Sequence, residues 1–171
     1  IQYPRDIFSK WTEAERNAIG IFEITFNDTK KKDEEYYDNT NQTYTYDADA
    51  GTVTATYGDA TAKAHADANA TDRDGVELDP VVVIEGLKTK KIKIIKAQAA
   101  GILEKTDWYI LRKADADTDV PSAITTFRAA VRTKAAAMET LVTNASNTAA
   151  IQTLYTYVNT ADEGDPVVME R

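Results

Sequence analysis

Two stretches of helical periodicity constrain this chain more than anything else in it. From Lys88 onward, Ile92, Ile95, Ala99 and Ile102/Leu103 recur at steps of three and four, which places them on one face of an α-helix. Ile124, Phe127, Val131, Ala135, Met138, Val142 and Ala145 repeat the pattern in a second, longer run. Pro121 suits a first helical turn, where a missing N–H is tolerated, and Asp119 is placed to cap it. Between the runs, Thr106-Asp107-Trp108-Tyr109 reads as a stop followed by a short acidic loop. The expectation is a packed helical hairpin with Trp108 as an anchor folded over it. A third helical stretch, Ala149 to Val158, presents Ile151, Leu154, Tyr155 and Val158 on one face, and 162 to 171 reads as a tail.

The first half follows a different period. Residues 1 to 10 read as an extended arm, and Thr12 and Glu15 have the spacing of a capping box for a helix ending near Gly20. Ile21 to Phe26 is a compact apolar strand. Residues 27 to 41 read as an exposed loop with Tyr36 and Tyr37 folded back. Thr43–Tyr46 and Thr52–Tyr57 form a hairpin around Asp47-Ala48-Asp49-Ala50-Gly51, with Tyr44, Tyr46, Val53, Ala55 and Tyr57 on one face. Strand and hairpin predict a three-stranded antiparallel sheet, near the lower limit for stability. Residues 58 to 69 are alanine-rich and suggest a short helix; 70 to 80 is acidic and turn-rich, and 81 to 84 suggests a fourth strand or a lead-in to the lysine-rich helix. The fold class is α+β: a small antiparallel β unit, a long helical hairpin and a third helix. Two regions are expected, 1–80 and 81–171.

Charge is unevenly placed. The chain carries -8 overall, yet Gly86 to Lys113 holds seven lysines and one arginine against Glu104 and Asp107, a local net of +6. An acidic body with one basic band argues against nucleic acid as the main partner and favours an acidic protein face or a second copy of the chain. A solvated helix face neutralised by its own loops is the simpler alternative. The residues offered for partner contact are Lys88, Lys90, Lys91, Lys93, Lys96, Trp108, Tyr109, Arg128 and Arg132.

Catalytic and metal signatures are weak. Without cysteine there is neither a disulfide framework nor thiolate zinc. His65, the only histidine, sits among alanines, and Ser9, Ser122 and Ser146 have no nucleophile-elbow context. Asp72, Asp74, Glu77 and Asp79 lack one position of a calcium loop, and Asp115, Asp117 and Asp119 are followed by Val120 where that loop needs glycine. No phosphate-cradling or dinucleotide glycine pattern is present, and carboxylate pairs lack the aromatic surroundings of a sugar site. Expected, therefore, are no enzyme activity, no cofactor and no metal. No apolar run approaches the length of a membrane span, so no membrane partner is expected. Nothing at the N-terminus reads as a signal peptide, and a start at Ile1 suggests processing or trimming.

The string Ala99-Ala100-Gly101-Ile102-Leu103-Glu104-Lys105-Thr106-Asp107-Trp108-Tyr109-Ile110, followed by Phe127-Arg128-Ala129-Ala130-Val131-Arg132, resembles a pattern in bacteriophage tail-fibre assembly chaperones and tail-associated proteins. In that group a helix ends in leucine shortly before Thr-Asp-Trp, and a Tyr-Arg-x-Ala-Leu-Arg segment follows. The resemblance is firm over about residues 98 to 132 and weaker over 12 to 57; the chain departs from the group in the length of its second helix and in the added helix near Ala149. It implies a non-enzymatic tail-apparatus protein located in the virion tail and assembled in the bacterial host cytoplasm. Partners would be other tail or fibre proteins, or a second copy. A transient assembly chaperone absent from the mature virion is the second reading, and a small carbohydrate-processing enzyme a remote third.

Overall fold

A computed structural model describes residues 5–40, 42–159 and 169–170. The protein is α+β, and the chain divides into two compact units, Ile1–Ala62 and Lys63–Arg171. The turn-rich segment 70–80, where the sequence suggests a boundary, lies inside the second unit.

The first unit begins with a single helical turn, α1 (Ile7–Lys10), where an extended arm is expected. Helix α2 (Glu13–Asn17) has the reciprocal capping box: the Thr12 hydroxyl accepts from the Glu15 N–H, and the Glu15 carboxylate accepts from the Thr12 N–H at 2.8 Å. Gly20 takes φ +83° and ends the helix, with the Ile21 N–H returning to the Arg16 carbonyl. Strands β1 (Ile24–Asn27), β2 (Tyr37–Asp38), β3 (Thr43–Asp47), β4 (Thr52–Thr56) and β5 (Thr61–Ala62) follow. The hairpin β3–β4 has the expected face, with Tyr44 opposite Ala55 and Tyr46 opposite Val53. Its turn is held by the Asp47 carboxylate, which accepts from the Asp49 and Ala50 N–H groups.

The sheet corrects one expectation: it is mixed. Its order is β1-β4-β3, and β1 runs parallel to β4, with Ile24 beside Val53 and Phe26 beside Ala55. The chain leaves β1, crosses to the far edge as β3 and turns back into the centre as β4. That route gives β1 and β4 the same direction. Strand β2 pairs with β5 instead, which buries Tyr36 and Tyr37 with Ile7 and Ala55 as the core of this unit.

In the second unit, β6 (Ala68–Asn69) pairs with β7 (Val83–Ile84), and four helices follow: α3 (Leu87–Glu104), α4 (Asp107–Ala116), α5 (Ser122–Asn144) and α6 (Thr148–Tyr155). Strands β8 (Val158–Asn159) and β9 (Met169–Glu170) pair beyond them; the rest of the region read as a tail, like the first four residues of the arm, lies outside the described residues. Helix α3 packs along α5, and α6 contacts both. The core gathers Leu87, Ile95, Val142, Ala145 and Ile151, the last fully buried.

Residues 58 to 69 are not helical: Thr61–Ala62 pairs with β2, Ala68–Asn69 with β7, and the start of α3 uses polar groups of 64 to 67. The Leu87 and Lys88 N–H groups donate to the Ala64 and His65 carbonyls, and the Gly86 N–H and Thr89 hydroxyl donate to the Asp67 carboxylate at 2.8 Å each. N–H groups left over at a helix start are thus met by the segment between β5 and β6. The Gly86 bond foremost, then that from Thr89, holds the Asp67 carboxyl below its ordinary pKa. The Thr148 hydroxyl, at the start of α6, donates to the Lys63 carbonyl at 2.6 Å.

Two local expectations at the hairpin also change. Helix α4 occupies the place of the acidic loop. Asp119 does not cap α5: with Asp117 it binds the Lys113 ammonium, at 2.8 and 2.7 Å, and Pro121 stands at the N-cap.

Candidate partner-binding surface

The helix pair α3–α5 is closed at one end by Arg128. Its Nη1 donates to the Leu103 carbonyl at 2.9 Å and to the Thr106 hydroxyl at 2.7 Å, and lies 2.8 Å from the Asp107 carboxylate. The Thr106 N–H and hydroxyl also converge on the Leu103 carbonyl, each at 2.9 Å. The Leu103 carbonyl at the end of α3 therefore accepts from a cation of α5, a favourable arrangement at the negative end of a helix dipole. Arg128 is buried, so it acts inside the unit and not on the partner surface expected of it.

The lysines divide in the same way. Lys91 is buried, its ammonium 4.2 Å from the centroid of the Tyr155 ring, and it too leaves the partner surface. Lys88 reaches across to the Thr143 carbonyl at 2.8 Å and caps the end of α5. Lys93 pairs with Glu85, and Lys96 lies 3.6 Å from Glu139. Lys90 and Arg132 are exposed. Much of the +6 band is thus engaged by its own unit, and single exposed pairs of this kind contribute at most about 1 kcal/mol.

Trp108 is not the buried anchor expected from its position. It is 49 % exposed on α4, with its ring centroid 3.7 Å from that of the half-buried Tyr109 and the Arg112 guanidinium 5.0 Å above it. An aromatic pair of this sort contributes about 0.5–1.5 kcal/mol, against about 3–5 kcal/mol for a large aromatic in a core. Trp108→Ala is accordingly expected to lower stability in chemical denaturation by no more than about 1.5 kcal/mol. A loss above 3 kcal/mol would place the ring in the core.

Sequence reading missed the feature that dominates this unit. An open apolar groove of about 490 Å³ runs between α3, α5 and α6, lined by Ile95, Met138, Leu141, Val142 and Leu154. It continues as a shallower one of about 180 Å³ along Ala99, Ile102, Val131 and Ala135. Lys134 is on the wall of both. Leu141 is 57 % exposed, and Phe127 and Ile102 are also exposed. The available signal was the spacing Phe127, Val131, Lys134, Met138, Leu141, which at 100° per residue falls within an arc of about 80°.

The acidic clusters are engaged locally. The Asp72 carboxylate accepts from the Asp74 and Val76 N–H groups of its own turn, and Asp117 and Asp119 share Lys113. Among the described residues, no three His, Asp or Glu side chains gather to hold a metal ion, and no helix is long and apolar enough to cross a membrane. No family model, curated protein or solved structure matches this chain.

Proposed function

We propose that the chain is a non-enzymatic protein of a bacteriophage tail apparatus, a virion component that anchors tail fibres or helps assemble them through protein–protein contacts. The support is the joining of the two halves of the tail-protein pattern: Thr106 and Asp107 of the first meet Arg128 of the second through one guanidinium. Residues 21 and 22 positions apart thereby become one structural unit, which gives the pattern a physical reason to recur as a pair. The apolar groove beside that unit supports contact with a protein, since contiguous exposed apolar surface on a folded chain is a common mark of an interface.

Mass spectrometry of purified particles, with affinity capture of the tagged protein from infected cells, tests this reading. Detection in particles at a copy number matching other tail proteins is the expected result. Capture with fibre proteins but absence from particles would make it a transient assembly chaperone. Absence from particles without any tail protein captured would overturn the proposal.

A further inference from the structure

The apolar stripe along the groove between α3 and α5 has the length of a short helix. From Phe127 to Leu141 the apolar stripe on α5 spans about 21 Å, or four turns at 1.5 Å per residue. Helix α6, at eight residues, covers only one end of the pair. Along the outer flank of the stripe stand Ala130 and Ala137, both exposed, and their small side chains let a neighbouring backbone come close at those two positions. An amphipathic helix with apolar residues at three- and four-residue steps fits this surface.

Lys134 decides what kind of helix that is. It stands at the middle of the stripe, between Val131 and Met138, and is exposed. No described carboxylate pairs with it, whereas Lys88, Lys93 and Lys96 are engaged by groups of the same unit. A second copy docking α5 on α5 about a two-fold axis would bring two Lys134 ammoniums together at its centre. Like charges facing each other inside an apolar interface are strongly unfavourable. A carboxylate halfway along the incoming helix would instead be drawn to this ammonium.

We propose that the groove binds an amphipathic helix of a different protein, about four turns long, with a glutamate or aspartate at its middle facing Lys134. This rests on the reading of the chain as an assembly protein and specifies the chemistry of its partner. Lys134 sets register and orientation, and the apolar side chains supply most of the affinity.

The probe is a synthetic 15-residue helical peptide with leucines at three- and four-residue steps and one central glutamate, titrated against the full chain by fluorescence anisotropy. A matched peptide carries lysine in place of that glutamate. The glutamate peptide is expected to bind about five- to tenfold more tightly, and Lys134→Glu is expected to reverse the order. Leu141→Asp, at an exposed position, is expected to weaken both by more than about tenfold while circular dichroism stays unchanged. Failure of both peptides to bind, or equal binding that Lys134→Glu leaves unaltered, would overturn the proposal. So would sedimentation showing a dimer that Leu141→Asp dissolves, which would make the occupant a second copy. Particles that retain the Lys134→Glu and Leu141→Asp chains at normal copy number would refute this groove while leaving the tail reading intact; absence of the parent chain from particles and from captured tail complexes would refute the tail reading alone.

Discussion

Arg128→Ala is expected to destabilise the helical unit by about 2–4 kcal/mol, measured by urea denaturation. Hydrogen bonds to a charged group contribute about 1.5–3 kcal/mol, and deleting one partner of a buried ion pair costs about 3–5 kcal/mol when the other is left stranded. Here Asp107 is 51 % exposed at its side chain and rehydrates, which keeps the loss below the top of that range. The Leu103 carbonyl retains the Thr106 donors but loses the cation. Arg128→Lys is expected to recover only part of the loss, because the shorter lysine stem leaves its ammonium short of the place Nη1 holds among the carbonyl, the hydroxyl and the carboxylate. Arg132→Ala, four residues on and exposed, is expected to change stability by less than about 0.5 kcal/mol. Equal effects at the two arginines would refute the role assigned to Arg128.

The same glycine-to-alanine change is expected to act in opposite directions at two positions of one helix. Gly86 precedes α3 with an ordinary φ of -77°, so its need for glycine is steric and not conformational. A Cβ there would collide with the backbone of Ala66, in the bend next to the Ala64 and His65 carbonyls that accept from the first turn. Backbone cannot yield as a flexible side-chain tip can. Gly86→Ala is therefore expected to cost about 3 kcal/mol, the upper part of the overpacking range. Gly101 lies within α3, and a Cβ there meets nothing within 4 Å. Gly101→Ala is expected to stabilise by about 0.5–1 kcal/mol through helix propensity alone. Thermal melts of the two variants, shifted down and up respectively, check the pair.

What could be read from the sequence was what depends on neighbours along the chain. The three- and four-residue spacing of α3 and α5, the Thr12–Glu15 capping box, the stop at Gly20 and the register of the tyrosine hairpin all rest on local stereochemistry, and each stands in the structure. Tertiary structure decided which backbone groups would be borrowed from a distance. Residues 63 to 67 have an alanine content that suits a helix, but the Ala64 and His65 carbonyls and the Asp67 carboxylate are needed by the first turn of α3, and no helix forms there. Strand β1 pairs with β4 because of a crossing that no local spacing encodes. The surface followed the same rule. A band of lysines is visible in the sequence, but which of them face solvent depends on what packs beside α3. Lys91 is enclosed beside Tyr155, Lys88 closes the end of α5, and Arg128 turns inward to the end of α3. Lys134 looks unremarkable as one cation in a long helix. Its place halfway along an open apolar groove follows only from the packing of α3, α5 and α6, because a groove is formed between helices and is a property of no single one.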